Sequence, residues 1–369
     1  MCIEFTLLKW VNNWKGSALK PNKQITLDHI AHQVGVSVTT VSRVLTGQSK
    51  KYRISTRTAE KVQSTARELG YMPDQLARAL RTNRTNTIGL VIPDISNPFF
   101  STIARNIEIQ ARKIGTAIIL SDSQEDTQLE IESLRLLQSR KVDGLIVCPV
   151  GEKYEHLESI QQSGHPMVVI DRIFPELECA YVVSDNYQGA LEAVSYFFEM
   201  NHRSIGLIQG KVNTSVNIDR IRGYRDAHQN YGVALDESLI VGDSFGKRNG
   251  YIATKILLSK AMRPSAIFAT SNLISLGAMT AIQEGGLRIP EDISLISFDD
   301  QPYSEYLATP MTTVSQQTAE TGEIAFRLLQ SQIKGGSQLS REGIILPTEL
   351  VFRKSVKKLD AVNAVLSTN

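Results

Sequence analysis

From Ile88 onward, short apolar segments alternate with longer segments whose apolar residues recur at helical spacing. The short segments read IGLVIPD, TAIILSD, GLIVCPV, PMVVID, AYVVSD, SIGLIQG, LIVGDSF, AIFAT and ISLISFDD. Near-continuous apolar runs separated by helices are typical of parallel strands that are covered on both faces. The segments divide near Asp185 into two sets that resemble a duplication. The pattern therefore predicts an α/β domain with two lobes, each a doubly wound parallel sheet.

A different pattern precedes this domain, in which two short helices flank a turn. Residues at i, i+3, i+4 and i+7 form the apolar stripe of the first helix: Leu27, Ile30, Ala31 and Val34. Gly35 can end that helix, and Ser37 is a good N-cap for the next one. A third helix is expected between Ser55 and Gly70. This arrangement predicts a helix-turn-helix head.

The second of these helices carries the candidate base-reading residues. Val41 and Val44 face inward, whereas Val38, Thr39 and Arg43 share the outer side. In helix-turn-helix domains this side enters the major groove, where an arginine can bond guanine and methyl groups can contact thymine. The alternative interpretation is a small helical bundle with an incidental arginine.

The charge distribution favours a nucleic-acid partner for the head. The net charge of the 369 residues is only +2, but residues 20–86 contain twelve Lys or Arg against four Asp or Glu. A basic module joined to a more acidic one suggests a polyanion-binding head on a domain with another task. An ordinary solvated surface is the alternative.

Other features bear on compartment and function class. No apolar run approaches the length of a membrane span, and the first residues do not resemble a signal peptide. Cys2, Cys148 and Cys179 show neither metal-ligand spacing nor a disulfide framework, so a reducing cytoplasm is expected, without a metal or cofactor. A glycine-rich nucleotide motif and a catalytic triad are also missing. An enzyme and a periplasmic sugar-binding protein are thus the weaker alternatives.

Three segments carry a specific resemblance: LDHIAHQVGVSVTTVSRVL, TRTAEKVQSTARELGYMP and LARALRTNRTNTIGLVIPD. They resemble the lactose-repressor/purine-repressor family of bacterial transcription regulators, and the resemblance extends over about residues 25–355. It implies that Val38, Thr39 and Arg43 occupy base-reading positions. It further implies that Leu80 wedges into the minor groove beside Ala77 and Arg81, which would bend the operator.

The loop Gly47–Ser55 is longer than the usual loop of that family and is similar to the version in the fructose-repressor branch. This similarity implies that Lys50, Lys51 and Arg53 contact phosphates, which adds affinity rather than sequence reading. A solvated basic loop is the alternative.

The resemblance also implies a small-molecule effector between the two lobes. Its matching motifs place nine residues along the crevice: Phe99, Phe100, Asp171, Arg172, Asp185, Arg220, Phe245, Asn272 and Asp299. Carboxylates, a guanidinium and aromatic faces suit a carbohydrate. The alternatives are core positions for the phenylalanines, a helix cap for Asp185 and a pairing with Asp219 or Asp226 for Arg220. Arg172 makes a phosphate group possible, so the expected effector is a sugar or sugar phosphate, with a nucleobase or other metabolite as the alternative.

The expected organisation is a homodimer on double-stranded operator DNA, with tetramer formation and the direction of the effector response left open. No membrane partner is expected. The predicted domains are a peripheral extension 1–24, a helix-turn-helix headpiece 25–70, a hinge helix and linker 71–83, an effector-binding and dimerisation domain 84–355 and a tail 356–369. The lobes are expected at 87–184 plus 315–340 and at 185–314 plus 341–355. Regulation of carbohydrate metabolism genes is the expected role.

Overall fold

The computed structural model describes residues 25–71, 84–335 and 342–360. They belong to two compact units that divide between Arg81 and Thr82. The predicted extension 1–24, all of the predicted hinge except Tyr71, and the end of the predicted tail lie outside the described residues.

Within residues 25–71, the first unit contains three helices: α1 Leu27–Val34, α2 Val38–Leu45 and α3 Thr56–Glu68. Helix α1 ends at Gly35 in the left-handed conformation (φ 78°), and the Ser37 hydroxyl caps the start of α2. Ile30, Val41 and Val62, one from each helix, are fully buried in one core. The predicted helix-turn-helix and third helix are confirmed.

The second unit begins with alternating strands and helices: β1 Thr87–Ile92, α4 Pro98–Lys113, β2 Ala117–Asp122, α5 Thr127–Ser139, β3 Leu145–Val147, α6 Glu155–Gln162, β4 Met167–Ile170 and β5 Ala180–Ser184. The chain continues with α7 Asn186–Glu199, β6 Ile205–Ile208, α8 Ser215–Asn230, a 3₁₀ turn Glu237–Leu239, β7 Ile240–Val241, α9 Lys247–Leu258, β8 Ala266–Ala269, α10 Asn272–Glu284, β9 Ser294–Phe298 and β10 Thr312–Ser315. It ends with α11 Thr318–Gly335, β11 Gly343–Leu346 and β12 Glu349–Val351.

These strands form two six-stranded sheets, one in each lobe. The first sheet has the order β11-β5-β4-β3-β1-β2, and the second has the order β12-β10-β9-β8-β6-β7. Every pair in the first sheet is parallel, whereas β12 runs antiparallel to β10 in the second. Strands β1–β5 correspond in order to β6–β10, which confirms the predicted duplication. The prediction of a fully parallel second sheet is wrong at one edge, where β12 is antiparallel.

Both faces of each sheet are buried, which explains the continuous apolar runs. Leu90 and Val91 are neighbours in β1 but join separate apolar clusters on opposite faces of the first sheet. Leu207 and Ile208 do the same in β6 of the second sheet. Helices therefore cover both faces, as in doubly wound folds.

Two of the predicted boundaries are wrong near the end of the chain. The segment 341–355 was expected in the second lobe, but its first strand, β11, pairs with β5 and so extends the first sheet. The tail was expected to begin at residue 356, but Lys357 N donates to Ser294 Oγ (3.1 Å) and Leu359 N donates to the Met200 carbonyl (2.9 Å). These bonds attach residues 356–360 to the second lobe.

Candidate functional site

The outer side of helix α2 presents Val38, Thr39 and Arg43. Val38 is 41% exposed, Thr39 is exposed and Arg43 is half-buried. Val41 and Val44 are buried on the other side, which fixes the orientation of the helix in its unit. The outer side thus offers two methyl-bearing side chains and one guanidinium, the groups that read thymine and guanine edges.

The loop Gly47–Ser55 is closed by a 2.9 Å hydrogen bond from the Ile54 N–H to the Ser49 carbonyl. It presents three exposed cations, Lys50, Lys51 and Arg53. None of them makes an ion pair among the described residues, so all three charges can face a polyanion. The three hinge residues of the prediction lie outside the described residues: Ala77, Leu80 and Arg81.

A cavity of about 400 Å³ lies in the second unit, where the carboxyl ends of both sets of strands meet. Seven of the nine predicted effector residues line it: Phe99, Phe100, Asp171, Arg172, Arg220, Phe245 and Asp299. Its volume falls within the range of small-molecule sites. The structure therefore brings together residues from both lobes that lie up to 200 positions apart in the chain.

Asp171 and Asp299 occupy equivalent places in the two lobes. Each follows the fourth strand of its lobe and has a left-handed backbone, with φ of 63° and 73°. Each backbone N–H donates to the next strand, at Val182 and Val314. Burial raises the pKa of both carboxyl groups. The positive charges of Arg172 and Arg220 oppose this rise at Asp171, and that of Arg220 opposes it at Asp299.

Arg220 is buried on helix α8 with little exposure (3%). Its Nε donates to Asn186 Oδ1 (2.9 Å) and one terminal nitrogen donates to the Thr270 carbonyl. The guanidinium also stacks on Phe298, 3.6 Å from the ring centroid. Burial lowers its pKa, and the charges of the Asp299 and Asp171 carboxylates counter this effect. The predicted alternative, a pairing with Asp219 or Asp226, is not observed.

Arg172 is neutralised by a neighbour that the sequence did not reveal. Its two terminal nitrogens contact both carboxylate oxygens of Glu125, at 2.7 and 2.5 Å. Burial opposes the charge of Arg172, but the Glu125 carboxylate outweighs this effect and raises the pKa of the guanidinium. The same guanidinium lies 5.0 Å from the ring centroid of Phe245 in the other lobe. Arg172 is thus a paired cation in the cavity wall.

Two predicted effector residues have other positions. Asp185 caps helix α7 by accepting a hydrogen bond from Gln188 N (2.9 Å), which is the alternative considered for it. Asn272 lies outside the cavity lining, where its Nδ2 donates across the lobes to Asn97 Oδ1 (2.9 Å). Asn272 therefore joins the lobes directly.

Several further cavity residues were missed from the sequence: Asp94, Asn97, Glu125, Lys211, Val216, Asp243, Ser244, Gly246, Ser271, Leu273 and Gln316. Most lie in the turns that follow strands, where no apolar periodicity marks a position. Loop residues of this kind need the three-dimensional arrangement to be recognised.

The described residues contain no group of three or more His, Cys, Asp or Glu side chains that could hold a metal ion. Among the helices in the described ranges, none is long and apolar enough to cross a membrane.

Comparison with known proteins extends these observations. Residues 26–74 match the model of bacterial regulatory proteins of the lacI family, and residues 194–356 match a periplasmic binding protein-like domain. The transcriptional regulator DegA of Bacillus subtilis is 35% identical over 338 residues, which cover 91% of this chain and 99% of that protein.

Two solved structures are similar over most of the chain. One is the Lac repressor dimer bound to operator and the anti-inducer ONPF, with 25% identity, a TM-score of 0.80 and coverage of 91% and 100% of the two chains. The other is a complex of the transcriptional regulator CelR with cellobiose, with 30% identity, a TM-score of 0.68 and coverage of 90% and 99%. The head, the paired sheets and these similarities agree, and the chain belongs to the lacI family of bacterial regulatory proteins, whose members are DNA-binding transcriptional repressors and not enzymes.

Proposed function

We propose that this protein is a cytoplasmic repressor of carbohydrate metabolism genes that binds a palindromic operator as a homodimer and is controlled by an uncharged sugar. The cavity between the lobes is the observation that carries this proposal. It combines buried carboxylates, a buried guanidinium and aromatic rings, which together bond sugar hydroxyls and cover the apolar face of a sugar ring. The similar regulator CelR was solved with cellobiose.

The charges around the cavity favour an uncharged sugar over a sugar phosphate. Five carboxylates line it, from Asp94, Glu125, Asp171, Asp243 and Asp299. They face three cations, and one of these, Arg172, is already paired with Glu125. A phosphate would therefore meet an excess of negative charge in a partly desolvated site, at considerable electrostatic cost.

Lys211 supports the sugar phosphate as the second candidate. Its ammonium lines the cavity and makes no ion pair among the described residues, where its contact is the Glu125 carbonyl at 3.5 Å. A phosphate placed beside this ammonium would gain one unpaired cation.

A thermal-shift screen of the full chain separates the two candidates, with neutral sugars tested beside their phosphate esters. A neutral sugar at 100 times its Kd should raise the Tm by about 5 °C or more, whereas its phosphate should give a much smaller rise. The variant Glu125→Gln is the control, because it leaves Arg172 unpaired and should increase the response to the phosphate. A larger shift with phosphates in the unchanged protein would reverse the assignment.

The operator function is tested by Arg43→Ala beside a loop variant that neutralises Lys50, Lys51 and Arg53. Loss of Arg43 should cost about 1–3 kcal/mol of specific binding and spare non-specific binding. The loop variant should instead reduce the salt slope by up to about 0.9 per lost contact and leave the base preference unchanged. If Arg43→Ala weakens both kinds of binding equally, Arg43 does not read a base. An unaltered slope would place the loop in solvent.

Control by the sugar would act through the spacing of the lobes. Among the described residues, hydrogen bonds between the lobes run from Asn272 Nδ2 to Asn97 Oδ1 (2.9 Å), from Ile173 N to Ser215 Oγ (3.0 Å) and from Lys211 Nζ to the Glu125 carbonyl (3.5 Å). A ligand in the cavity that favours one lobe angle would shift the equilibrium by its differential affinity, typically about 1–3 kcal/mol. The predicted hinge at 71–83 would pass this change to the operator, with Leu80 as its minor-groove wedge. Leu80→Ala should then lower operator affinity and bending while sugar binding stays intact.

A further inference from the structure

The long loop after helix α2 holds an aromatic ring against the helix. Two backbone bonds define this part of the loop: Gln48 N donates to the Arg43 carbonyl (2.9 Å), and Tyr52 N donates to the Gln48 carbonyl (3.2 Å). Arg53 then adopts a left-handed backbone with φ of 52°. The loop thereby returns Tyr52 to the side chain of Arg43.

The Arg43 guanidinium stacks on this ring. Its Cζ lies 3.8 Å from the centroid of Tyr52, well within the range of cation–π contacts. The side chain of Arg43 makes no hydrogen bond or ion pair among the described residues, so its N–H donors are not used by the protein there. Lys51 is farther from the same ring, with its Nζ at 5.8 Å.

This contact suits the task of reading a base. Stacking occupies the face of a guanidinium, whereas hydrogen bonds to guanine O6 and N7 use its edge. A stacked arginine has also lost much of its rotamer freedom before DNA arrives, so less entropy is lost on binding. The Tyr52 side chain is 41% exposed and does not belong to the buried core of the head.

We propose that Tyr52 is a positioning residue for sequence recognition, which holds the Arg43 guanidinium in the orientation that bonds a guanine. This inference rests on the proposed base-reading role of Arg43. It gives the long loop a function in specificity that is separate from phosphate contacts by its lysines and Arg53.

The experiment selects binding sites for the full chain from a randomised pool of double-stranded DNA and repeats the selection with three variants. Arg43→Ala identifies the base pair that Arg43 reads. Tyr52→Leu removes the ring but keeps an apolar side chain, and Tyr52→Phe keeps the ring but removes the hydroxyl. Competition binding then measures the preference for the selected base pair over its substitutions, and thermal unfolding verifies that each head is folded.

Tyr52→Leu should reduce the preference at the Arg43 base pair by about two- to fivefold, with other positions and non-specific binding unchanged. Tyr52→Phe should retain the preference of the unchanged protein. The inference is overturned if Tyr52→Leu keeps the preference, or if Tyr52→Phe weakens binding to all sequences as much as Tyr52→Leu does, since the hydroxyl would then contact a phosphate. If Arg43→Ala itself leaves every base preference unchanged, the base-reading role of Arg43 fails first.

Discussion

The two lobes share one backbone plan but use their equivalent aspartates differently. Asp299 in the second lobe accepts hydrogen bonds from Asn272 N and Gln316 Nε2. Asp171 in the first lobe has weaker partners among the described residues, with Cys148 Sγ at 3.6 Å and Arg172 Nε at 3.7 Å. The duplicated fold thus preserves the position of the carboxylate, while one copy supports the structure and the other remains available to a ligand.

The equivalent helices that face the cavity, α4 and α8, also contribute different side chains. Helix α4 of the first lobe carries Phe99 and Phe100 in its first turn, and their rings are 5.0 Å apart in an edge-to-face contact. Helix α8 occupies the corresponding place in the second lobe, and it contributes Arg220. The two equivalent helices therefore present different groups to the cavity, aromatic rings from α4 and a guanidinium from α8, which allows two ends or faces of a single ligand to be distinguished.

The largest effect is expected from Arg220→Leu, which removes the guanidinium that helix α8 presents to the cavity. The change leaves the Asn186 and Thr270 oxygens without their donor and removes a positive charge near two carboxylates. Sugar affinity should fall by about 100-fold or more, and unfolding free energy should fall by about 2–5 kcal/mol. Calorimetric titration and urea unfolding measure the two quantities.

Arg222→Leu on the same helix is the matched control. Arg222 is exposed and pairs with Asp219 at 3.1 Å. Its loss should change stability by no more than about 1 kcal/mol and leave sugar binding unchanged. Equal losses from both arginine variants would show that helix α8 responds to any change of charge.

Acid should weaken the second lobe through His202. Burial lowers the pKa of this histidine to about 4, and its neutral ring bonds Ser265 Oγ and the Lys357 carbonyl. Between about pH 6.5 and pH 4 the unfolded chain binds a proton there and the folded chain does not, so stability falls as the pH falls. The full contribution is about 3 kcal/mol, present above pH 6.5 and lost near pH 4.

The variant His202→Gln tests whether His202 causes the loss of stability in acid, because glutamine retains polar groups but does not titrate. Its unfolding free energy should vary less with pH over that interval, and hydrogen exchange should show earlier acid opening of the second lobe in the unchanged protein. Parallel pH curves for the two proteins would exclude His202 as the cause.

Replacing Asp171 should mainly affect sugar binding, whereas replacing Asp299 should mainly affect stability. Asn tolerates the left-handed backbone, so Asp→Asn removes charge without forcing the chain to move. Asp171→Asn should reduce sugar affinity by about 10- to 100-fold with little loss of stability. Asp299→Asn should cost about 1–2 kcal/mol of stability through its bonds to Asn272 and Gln316. If both variants behave alike in titration and unfolding, the proposed division of roles is wrong.

The smallest effect is expected from Cys148→Ser. Burial keeps the pKa of this thiol well above its usual value, so it remains a protonated donor to Asp171. A hydroxyl can replace it as donor, and sugar affinity should change by less than about threefold in titration. A loss as large as that of Asp171→Asn would mean that the thiol itself contacts the ligand.

The sequence predicted the strands best where both faces are buried. Segments such as GLIVCPV are continuously apolar because residues on either side of the sheet enter a core. Strand β10 was not predicted because its residues are mostly polar. Thr312 and Thr313 are buried, and their hydroxyl groups accept hydrogen bonds from Arg353. Strand β11 has exposed edge positions, so its short apolar pattern did not indicate which sheet it joins.

The site was predictable where a motif marks a strand end or a helix start. Asp171 and Asp299 follow apolar strands, so their convergence could be inferred from the topology of parallel sheets. The pairing of Arg172 with Glu125 could not, because 47 residues separate them and Glu125 lies in a turn with a left-handed backbone (φ 58°). The role of Asp185 remained ambiguous because a carboxylate before a helix suits both a cap and a ligand.

The central claim is that a sugar held between the two lobes controls operator binding. It is tested by measuring the operator Kd of the full chain with and without a saturating amount of the neutral sugar that gives the largest thermal shift, beside Asp171→Asn at the same sugar concentration. The unchanged protein should show a change of about 5- to 150-fold, and the variant should show a much smaller one. An operator Kd that does not respond to saturating sugar, or that responds equally in both proteins, would contradict the claim.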